Sequence, residues 1–174
     1  MELKYEDIQR LLAIEKCVDA SMLQNNMFTL PLTFPVKQEI HLFSAMGEVE
    51  FRWIIEQSSK VSFKITLFVM EKENNLGLLR LDYVPISKFH RNPDSIEGNI
   101  PDFLKDYIGQ EIRGSHAHFA VPGYKELSWA VPLSEVPDFP TAFDGQQSSI
   151  TSIVGSFAKR INLSTQICYV TPVI

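Results

Sequence analysis

Eight polar residues in the middle of the chain carry side chains suited to chemistry: Arg80, Asp82, His90, Arg91, Asn92, Asp94, His116 and His118. Arg80 is two residues from Asp82, and His116 is two residues from His118. Alternate residues of a β-strand point to the same face, so each pair shares one face of its strand. If the two strands pair, the four side chains form one polar patch. The loop from His90 to Asp94 can then fold over that patch.

Two kinds of chemistry fit this pattern. Two histidines at i and i+2 on a strand can hold one metal ion, and His90 or Asp82 would complete a set of three ligands. Alternatively, histidines move protons while arginines meet the phosphate of a phosphodiester. We therefore assign catalytic roles to His90, His116, His118 and Asp82, substrate binding to Arg80, Arg91, Asn92 and Asp94, and metal binding to His116 and His118. No cofactor is expected apart from a divalent metal ion in the metal-binding interpretation, and an inert, hydrogen-bonded sheet face is the third interpretation.

The surrounding sequence predicts an α+β fold with an antiparallel sheet of about five to seven strands. Apolar alternation indicates strands at 28–30, 36–43, 49–56, 61–70, 78–84, 115–121, 127–132 and 166–173. Short gaps between several of them favour antiparallel pairing. Apolar residues at a 3.6 period predict an N-terminal helix at 5–24 and a C-terminal helix at 149–161, both packed on the sheet, and 101–109 resembles a short helix. We expect one domain over residues 1–174.

The central hypothesis is that strands 78–84 and 115–121 are sheet neighbours. Each has one apolar face and one polar face, and the apolar residues include Leu81 and Ala117. Asp82 should then hydrogen-bond or ion-pair with Arg80, His116 or His118 on a solvent-facing surface. A carboxylate next to an imidazole favours the imidazolium, which would raise the pKa of that histidine.

The charge and hydropathy of the chain limit the classes of partner that we expect. The chain of 174 residues has 16 basic and 21 acidic residues, and no segment is strongly basic. Broad electrostatic binding of duplex nucleic acid is therefore not expected, although this charge is compatible with a focused site that contacts one or two phosphates. No apolar run reaches the ~20 residues of a membrane span, and the acidic N-terminus lacks a signal core, which predicts a cytoplasmic protein without a membrane partner. Cys17 and Cys168 are expected to be buried free thiols.

The order of the motifs resembles a family of small uncharacterised proteins of Gram-positive bacteria and their phages. The residues concerned are Leu79-Arg80-Leu81-Asp82, His90-Arg91-Asn92-Pro93-Asp94, Gly114-Ser115-His116-Ala117-His118 and Trp129. The resemblance covers mainly residues 49–131 and implies no activity. This chain has Ser95 where the pattern has glycine, a longer stretch from 95 to 111, and Phe119-Ala120-Val121-Pro122 in place of an arginine-bearing segment. The loss of the arginine-bearing segment weakens the hypothesis that this protein cleaves phosphodiesters.

The functional expectation is therefore a phage-type binding or accessory module that contacts a macromolecule, with a protein favoured as the partner. The alternative is a small metal-dependent or histidine-based phosphodiesterase. The two are separable by geometry: imidazoles of His90, His116 and His118 more than about 10 Å apart cannot share a substrate atom.

Overall fold

The computed structural model describes residues 3–94 and 99–171. Its α-helices are α1 (Tyr5–Ala13) and α2 (Gln147–Arg160). Its strands are β1 (Lys16–Val18), β2 (Leu23–Gln24), β3 (Met27–Pro31), β4 (Lys37–Ser44), β5 (Glu50–Gln57), β6 (Ile65–Glu71), β7 (Leu76–Tyr83), β8 (Phe89–Arg91), β9 (Glu111–Arg113), β10 (His116–Phe119), β11 (Trp129–Pro132) and β12 (Ile167–Val170). Short 3₁₀ turns cover Ala20–Met22, Asp102–Tyr107 and Leu133–Glu135.

The main sheet has seven strands in the order β1-β4-β5-β6-β7-β10-β11, and all neighbours are antiparallel. This confirms the expected α+β class and antiparallel sheet. A second sheet has the order β12-β3-β2, in which β12 runs parallel to β3. The third is the hairpin β8-β9, which is inserted between β7 and β10 in the sequence.

One face of the main sheet forms the hydrophobic core. Trp53 of β5 is fully buried and stacks on Phe157 of α2, with ring centroids 5.7 Å apart. Ile8 and Leu12 of α1 belong to the same core. Apolar residues on alternate strand positions therefore bury against a helical stripe, as their periods predict.

The opposite face carries the polar residues. Cross-strand register aligns Glu56, Thr66, Asp82 and His116 in one row. A second row contains Ile54, Phe68, Arg80 and His118. The hairpin β8-β9 lies at the β7-β10 end of this face, and an open groove of about 1360 Å³ runs along it.

The N-terminal helix predicted at 5–24 is wrong beyond Ala13. Residues Lys16–Val18 instead form β1, which pairs with β4. The fully buried Lys16 ammonium lies 2.8–3.0 Å from the carbonyl oxygens of Leu11, Leu12, Ile14 and Ile161. It thereby satisfies carbonyls that the end of a helix leaves without partners, and the chain leaves α1 for the sheet edge.

Other boundaries shift for similar local reasons. The strand expected at 61–70 begins at Ile65, because Ser58 and Lys64 close a turn, and Phe63 is consequently exposed rather than in the core. The segment at 101–109 forms the 3₁₀ turn Asp102–Tyr107. The final strand expected at 166–173 is β12, and residues 172–174 lie outside the described residues.

Cys17 and Cys168 are free thiols, as expected, but both are partly exposed rather than buried. In the described part of the chain, neither α-helix is long and apolar enough to cross a membrane.

Candidate functional site

Strands β7 and β10 are direct neighbours, which confirms the central structural hypothesis. Their antiparallel register places His116 opposite Asp82 and His118 opposite Arg80. Because all four residues occupy alternate positions, their side chains lie on the same face of the sheet.

Asp82 is the centre of this cluster. Its Oδ2 atom lies 2.7 Å from Arg80 Nη2, 3.1 Å from His118 Nε2 and 3.8 Å from His116 Nε2. Its Oδ1 atom accepts a hydrogen bond of 2.7 Å from Thr66 Oγ1. Burial by itself raises the pKa of Asp82, but the His118 hydrogen bond, the Arg80 charge and the Thr66 hydroxyl together lower it well below its usual value. Asp82 is therefore a buried carboxylate anion.

The hairpin β8-β9 brings His90 over the patch, as the sequence predicted. The ring centroid of His90 lies 5.9 Å from that of His116 and 4.6 Å from that of His118, and the centroids of His116 and His118 lie 4.6 Å apart. His90 Nε2 donates a hydrogen bond of 2.7 Å to the Ser128 carbonyl oxygen. All three imidazoles are well within the limit of about 10 Å, so the enzyme alternative passes its geometric test.

Backbone carbonyls fix the other two imidazoles. His116 Nδ1 is 2.6 Å from the Gly114 carbonyl oxygen, and His118 Nδ1 is 2.8 Å from that of Leu127. Both carbonyls belong to residues with positive φ, +73° at Gly114 and +50° at Leu127. A leucine rarely adopts this conformation, and such strained residues cluster at functional sites.

Burial differs from the expectation of a solvent-facing patch. His116 and His118 are each only 5% exposed, and Asp82 is 4% exposed. Burial lowers the pKa of His116 to about 4, more than the nearby Asp82 charge raises it, and burial also lowers the pKa of His90. The expected rise is therefore wrong for His116, because the hairpin and the segment before β11 remove water from the patch.

The groove above the cluster differs in charge from the rest of the protein. Its lining contains eight of the 16 basic residues but only three of the 21 acidic ones. The basic residues are Lys37, Arg52, Lys60, Lys64, Arg80, Lys88, Arg91 and Lys125, and the acidic ones are Glu56, Asp82 and Glu126. The protein is acidic as a whole, with a net charge of −5, yet the lining of this groove has more basic than acidic residues, eight against three.

The remaining predicted site residues lie differently. Arg91 lines the groove and forms an ion pair of 2.6 Å with the exposed Asp94. Asn92 is 2% exposed, and its side-chain amide hydrogen-bonds the backbone N–H and carbonyl of Ala130 and the carbonyl of Tyr107. The structure therefore does not bring Asn92 and Asp94 into the cluster.

Three ligand atoms of the cluster can hold a metal ion. One atom each from Asp82, His116 and His118 lies within 4.8 Å of the other two. His90 is outside this group, so Asp82 rather than His90 completes the set of three. Sequence reasoning missed Thr66, although its period-2 position opposite Asp82 was a usable signal, and it missed Leu127, for which no signal exists.

The fold and the cluster define an α+β protein with a basic groove over a buried histidine–aspartate centre. Residues 3–163 match the model of a family described as "Family of unknown function (DUF6978)", and the chain belongs to this family. Searches of curated proteins and of solved structures each found no match.

Proposed function

We propose that this protein is a binding module for single-stranded nucleic acid, held in the basic groove of the main sheet. The observation that carries the proposal is the charge of the groove: half of the basic side chains line it, against one in seven of the acidic ones. A ligand of high negative charge density is the chemical complement of such a surface.

Four lysines are available for phosphate contacts. Lys60, Lys64, Lys88 and Lys125 are exposed, and no acidic side chain of the described residues lies within 4.0 Å of their ammonium groups. The other basic residues of the lining are already paired, for example Arg91 with Asp94. Free lysines spread along a groove suit a repeating phosphate backbone better than a single anion.

The floor and rim supply surfaces for bases. Phe68 and Ile54 lie side by side on the floor, and Phe89 at the rim is 53% exposed. Aromatic side chains between basic ones are typical of single-strand binding, because every base has a π-face that stacks on an aromatic ring. Exposed aromatic rings among basic residues therefore suit a single strand better than a duplex.

The buried hydroxyl of Ser128 also lines the groove and has no hydrogen-bond partner among the described residues.

The test is fluorescence anisotropy with labelled oligo-dT and oligo-rU. The double variant Lys64→Glu with Lys125→Glu should bind at least about tenfold more weakly than the wild type, because two phosphate contacts become repulsive. Lys159→Glu is the matched control, since Lys159 is exposed on α2 against the other sheet face. The slope of log affinity against log salt should be about −0.7 per phosphate contacted.

Two results would overturn the proposal. One is an absence of binding, or equal binding by the double variant and the Lys159 control. The other is equal or tighter binding of oligoglutamate, which would make an acidic protein segment the ligand.

The motif resemblance supports a Gram-positive phage or prophage setting for this function, and the proposal places it in the cytoplasm, where single strands arise.

A second candidate, hydrolysis of a phosphodiester, is favoured by the proximity of the three imidazoles. In the metal-free protein His116 is neutral at pH 7, since burial lowers its pKa to about 4, so its Nε2 lone pair can take a proton from water. A metal ion bound at this nitrogen would exclude that role. The water oxygen would bond to phosphorus as the bond to the leaving oxygen breaks, with Arg80 beside the phosphate, and the leaving oxygen would keep the bonding electron pair and take a proton from solvent. Cleavage of the bound oligonucleotide that is lost in His116→Ala supports this candidate; intact oligonucleotide after prolonged incubation contradicts it.

A further inference from the structure

We propose that Asp82, His116 and His118 form a binding site for one divalent transition-metal ion, with zinc as the best-fitting ion. This inference goes beyond nucleic-acid binding and does not depend on it. Three features support it: the positions of the three side chains, the partners that orient them and the donor types that they offer.

The ligand separations fit a small metal ion. Asp82 Oδ2 lies 3.1 Å from His118 Nε2 and 3.8 Å from His116 Nε2. A tetrahedral zinc ion with bonds of about 2.0–2.1 Å places its ligand atoms about 3.3 Å apart. These two separations lie on either side of that value, and all three ligand atoms lie within 4.8 Å of one another, so side-chain movements can bring them to one ion.

The hydrogen-bond partners of the two histidines orient the lone pair of each Nε2 atom towards Asp82. His116 Nδ1 and His118 Nδ1 each face a backbone carbonyl, which only accepts hydrogen bonds. Each Nδ1 therefore carries the proton and donates it, which leaves Nε2 as the atom facing Asp82. Metal-binding histidines are held in this way, with the far nitrogen donating to a carbonyl or carboxylate.

His118 gives a more specific argument. Its Nδ1 faces the Leu127 carbonyl and its Nε2 faces the Asp82 carboxylate, so both ring nitrogens meet acceptors. A neutral imidazole has one N–H and satisfies only one of them. The arrangement therefore needs a cation at Nε2, which is either a second proton or a metal ion.

Asp82 keeps room for the metal beside its other partners. Oδ1 accepts from Thr66 and Oδ2 accepts from Arg80 at 2.7 Å. A carboxylate oxygen has two acceptor positions, so Oδ2 can bind Arg80 at one and a metal ion at the other. Two imidazole nitrogens and one carboxylate oxygen suit zinc or Fe²⁺, whereas Mg²⁺ and Ca²⁺ prefer oxygen ligands throughout. Three protein ligands leave a fourth position for water or a ligand.

Calorimetry on the full chain tests the site, after removal of any histidine tag and treatment with EDTA. The wild type should bind one Zn²⁺ per chain and should not bind Mg²⁺ at the same concentrations. His118→Ala and His116→Ala should each weaken zinc binding at least about 100-fold, since even outer partners of metal ligands contribute about 10- to 100-fold. His41→Ala is the control, because His41 is exposed on β4, beyond β5, β6 and β7 from β10.

A second measurement uses only the wild-type protein, so it does not depend on whether a variant folds. Added Co²⁺ should give the intense visible absorption of a low-coordinate nitrogen and oxygen site in the wild type, and Zn²⁺ should abolish it. Absence of zinc binding, a Co²⁺ spectrum identical to that of the ion in buffer, or equal zinc affinity in His118→Ala and His41→Ala would overturn the proposal.

Discussion

The His118 ring donates from Nδ1 to the carbonyl oxygen of Leu127, 2.8 Å away, and Leu127 adopts a φ of +50° to present that oxygen. His116 has the same relationship to Gly114, whose φ is +73°. In both cases a backbone conformation that most residues avoid sets the orientation of a buried imidazole. The rings are therefore held before any ligand arrives.

Gly114→Ala should disturb this arrangement. An alanine is strained at φ +73°, and its Cβ would lie 3.1 Å from Ile86 Cδ1. We expect zinc affinity to fall about 10- to 100-fold, because the carbonyl that orients His116 moves. Calorimetry measures the effect.

Gly47→Ala provides the control for that variant. Gly47 has the same φ of +73° in the turn after β4, and a Cβ added there would meet no atom within 4 Å. Gly47→Ala therefore shares the backbone strain of an alanine at this φ but not the contact with Ile86, and it should lose no zinc affinity. An equal loss of zinc affinity in both variants would contradict a specific role for the Gly114 carbonyl.

Asn92→Ala separates a structural role from the substrate-binding role that the sequence suggested. The Asn92 amide serves two backbone groups of Ala130 and one of Tyr107, all in a buried setting. Removing it should lower the free energy of unfolding by about 2–3 kcal/mol, because buried polar groups lose their partners.

The affinity of this variant for oligonucleotide should stay within about twofold of the wild type where the protein remains folded. Urea denaturation and anisotropy measure the two quantities. A variant of unchanged stability but weakened oligonucleotide binding would support the substrate-binding role instead.

Lys16 gives a pH-dependent prediction. Burial lowers its pKa to about 7, with a further lowering from the Arg160 charge, whereas a lysine in an unfolded chain has a pKa of about 10.4. Between these values the unfolded chain holds more protons than the folded chain. The stability of the wild type relative to Lys16→Met should therefore rise from pH 7 to pH 9.5, by at most about 1.4 kcal/mol per pH unit.

The comparison with Lys16→Met removes effects of other groups that titrate in this range. Buried tyrosines such as Tyr83, whose pKa is raised by burial, are present in both proteins. Chemical denaturation across this pH range measures the difference. A constant difference would mean that the four carbonyl oxygens around Lys16 keep its ammonium charged throughout.

The sequence predicted the pairing of the two chemistry-bearing strands because period-2 alternation is a local property. Asp82 and Arg80 on one strand, and His116 and His118 on the other, could be placed on one face without knowledge of the rest of the chain. His90 was correctly placed above them, since a long connection leaves β7 near this face.

The burial of the site was not predictable in the same way. Water is removed from His116 and His118 by the hairpin β8-β9 and by the segment at Leu127 and Ser128, and these contacts span many residues. The charge of the groove was also hidden, because its basic residues are scattered from Lys37 to Lys125 among acidic neighbours. Likewise, Lys16 fitted a helical pattern, and only its contact with the distant Ile161 carbonyl explains its position.

Binding of a single strand to the polar face of the main sheet can be mapped by an NMR titration of the ¹⁵N-labelled full chain with short oligo-dT. Chemical-shift changes should concentrate in β6, β7, β10 and the hairpin β8-β9, and should be absent from α2 on the other face of the sheet. The same titration of the Lys64→Glu, Lys125→Glu variant should need at least about tenfold more oligo-dT to produce the same shift changes. Changes centred on α2, or no change at concentrations far above those of the anisotropy assay, would contradict the claim that this sheet face is the binding site.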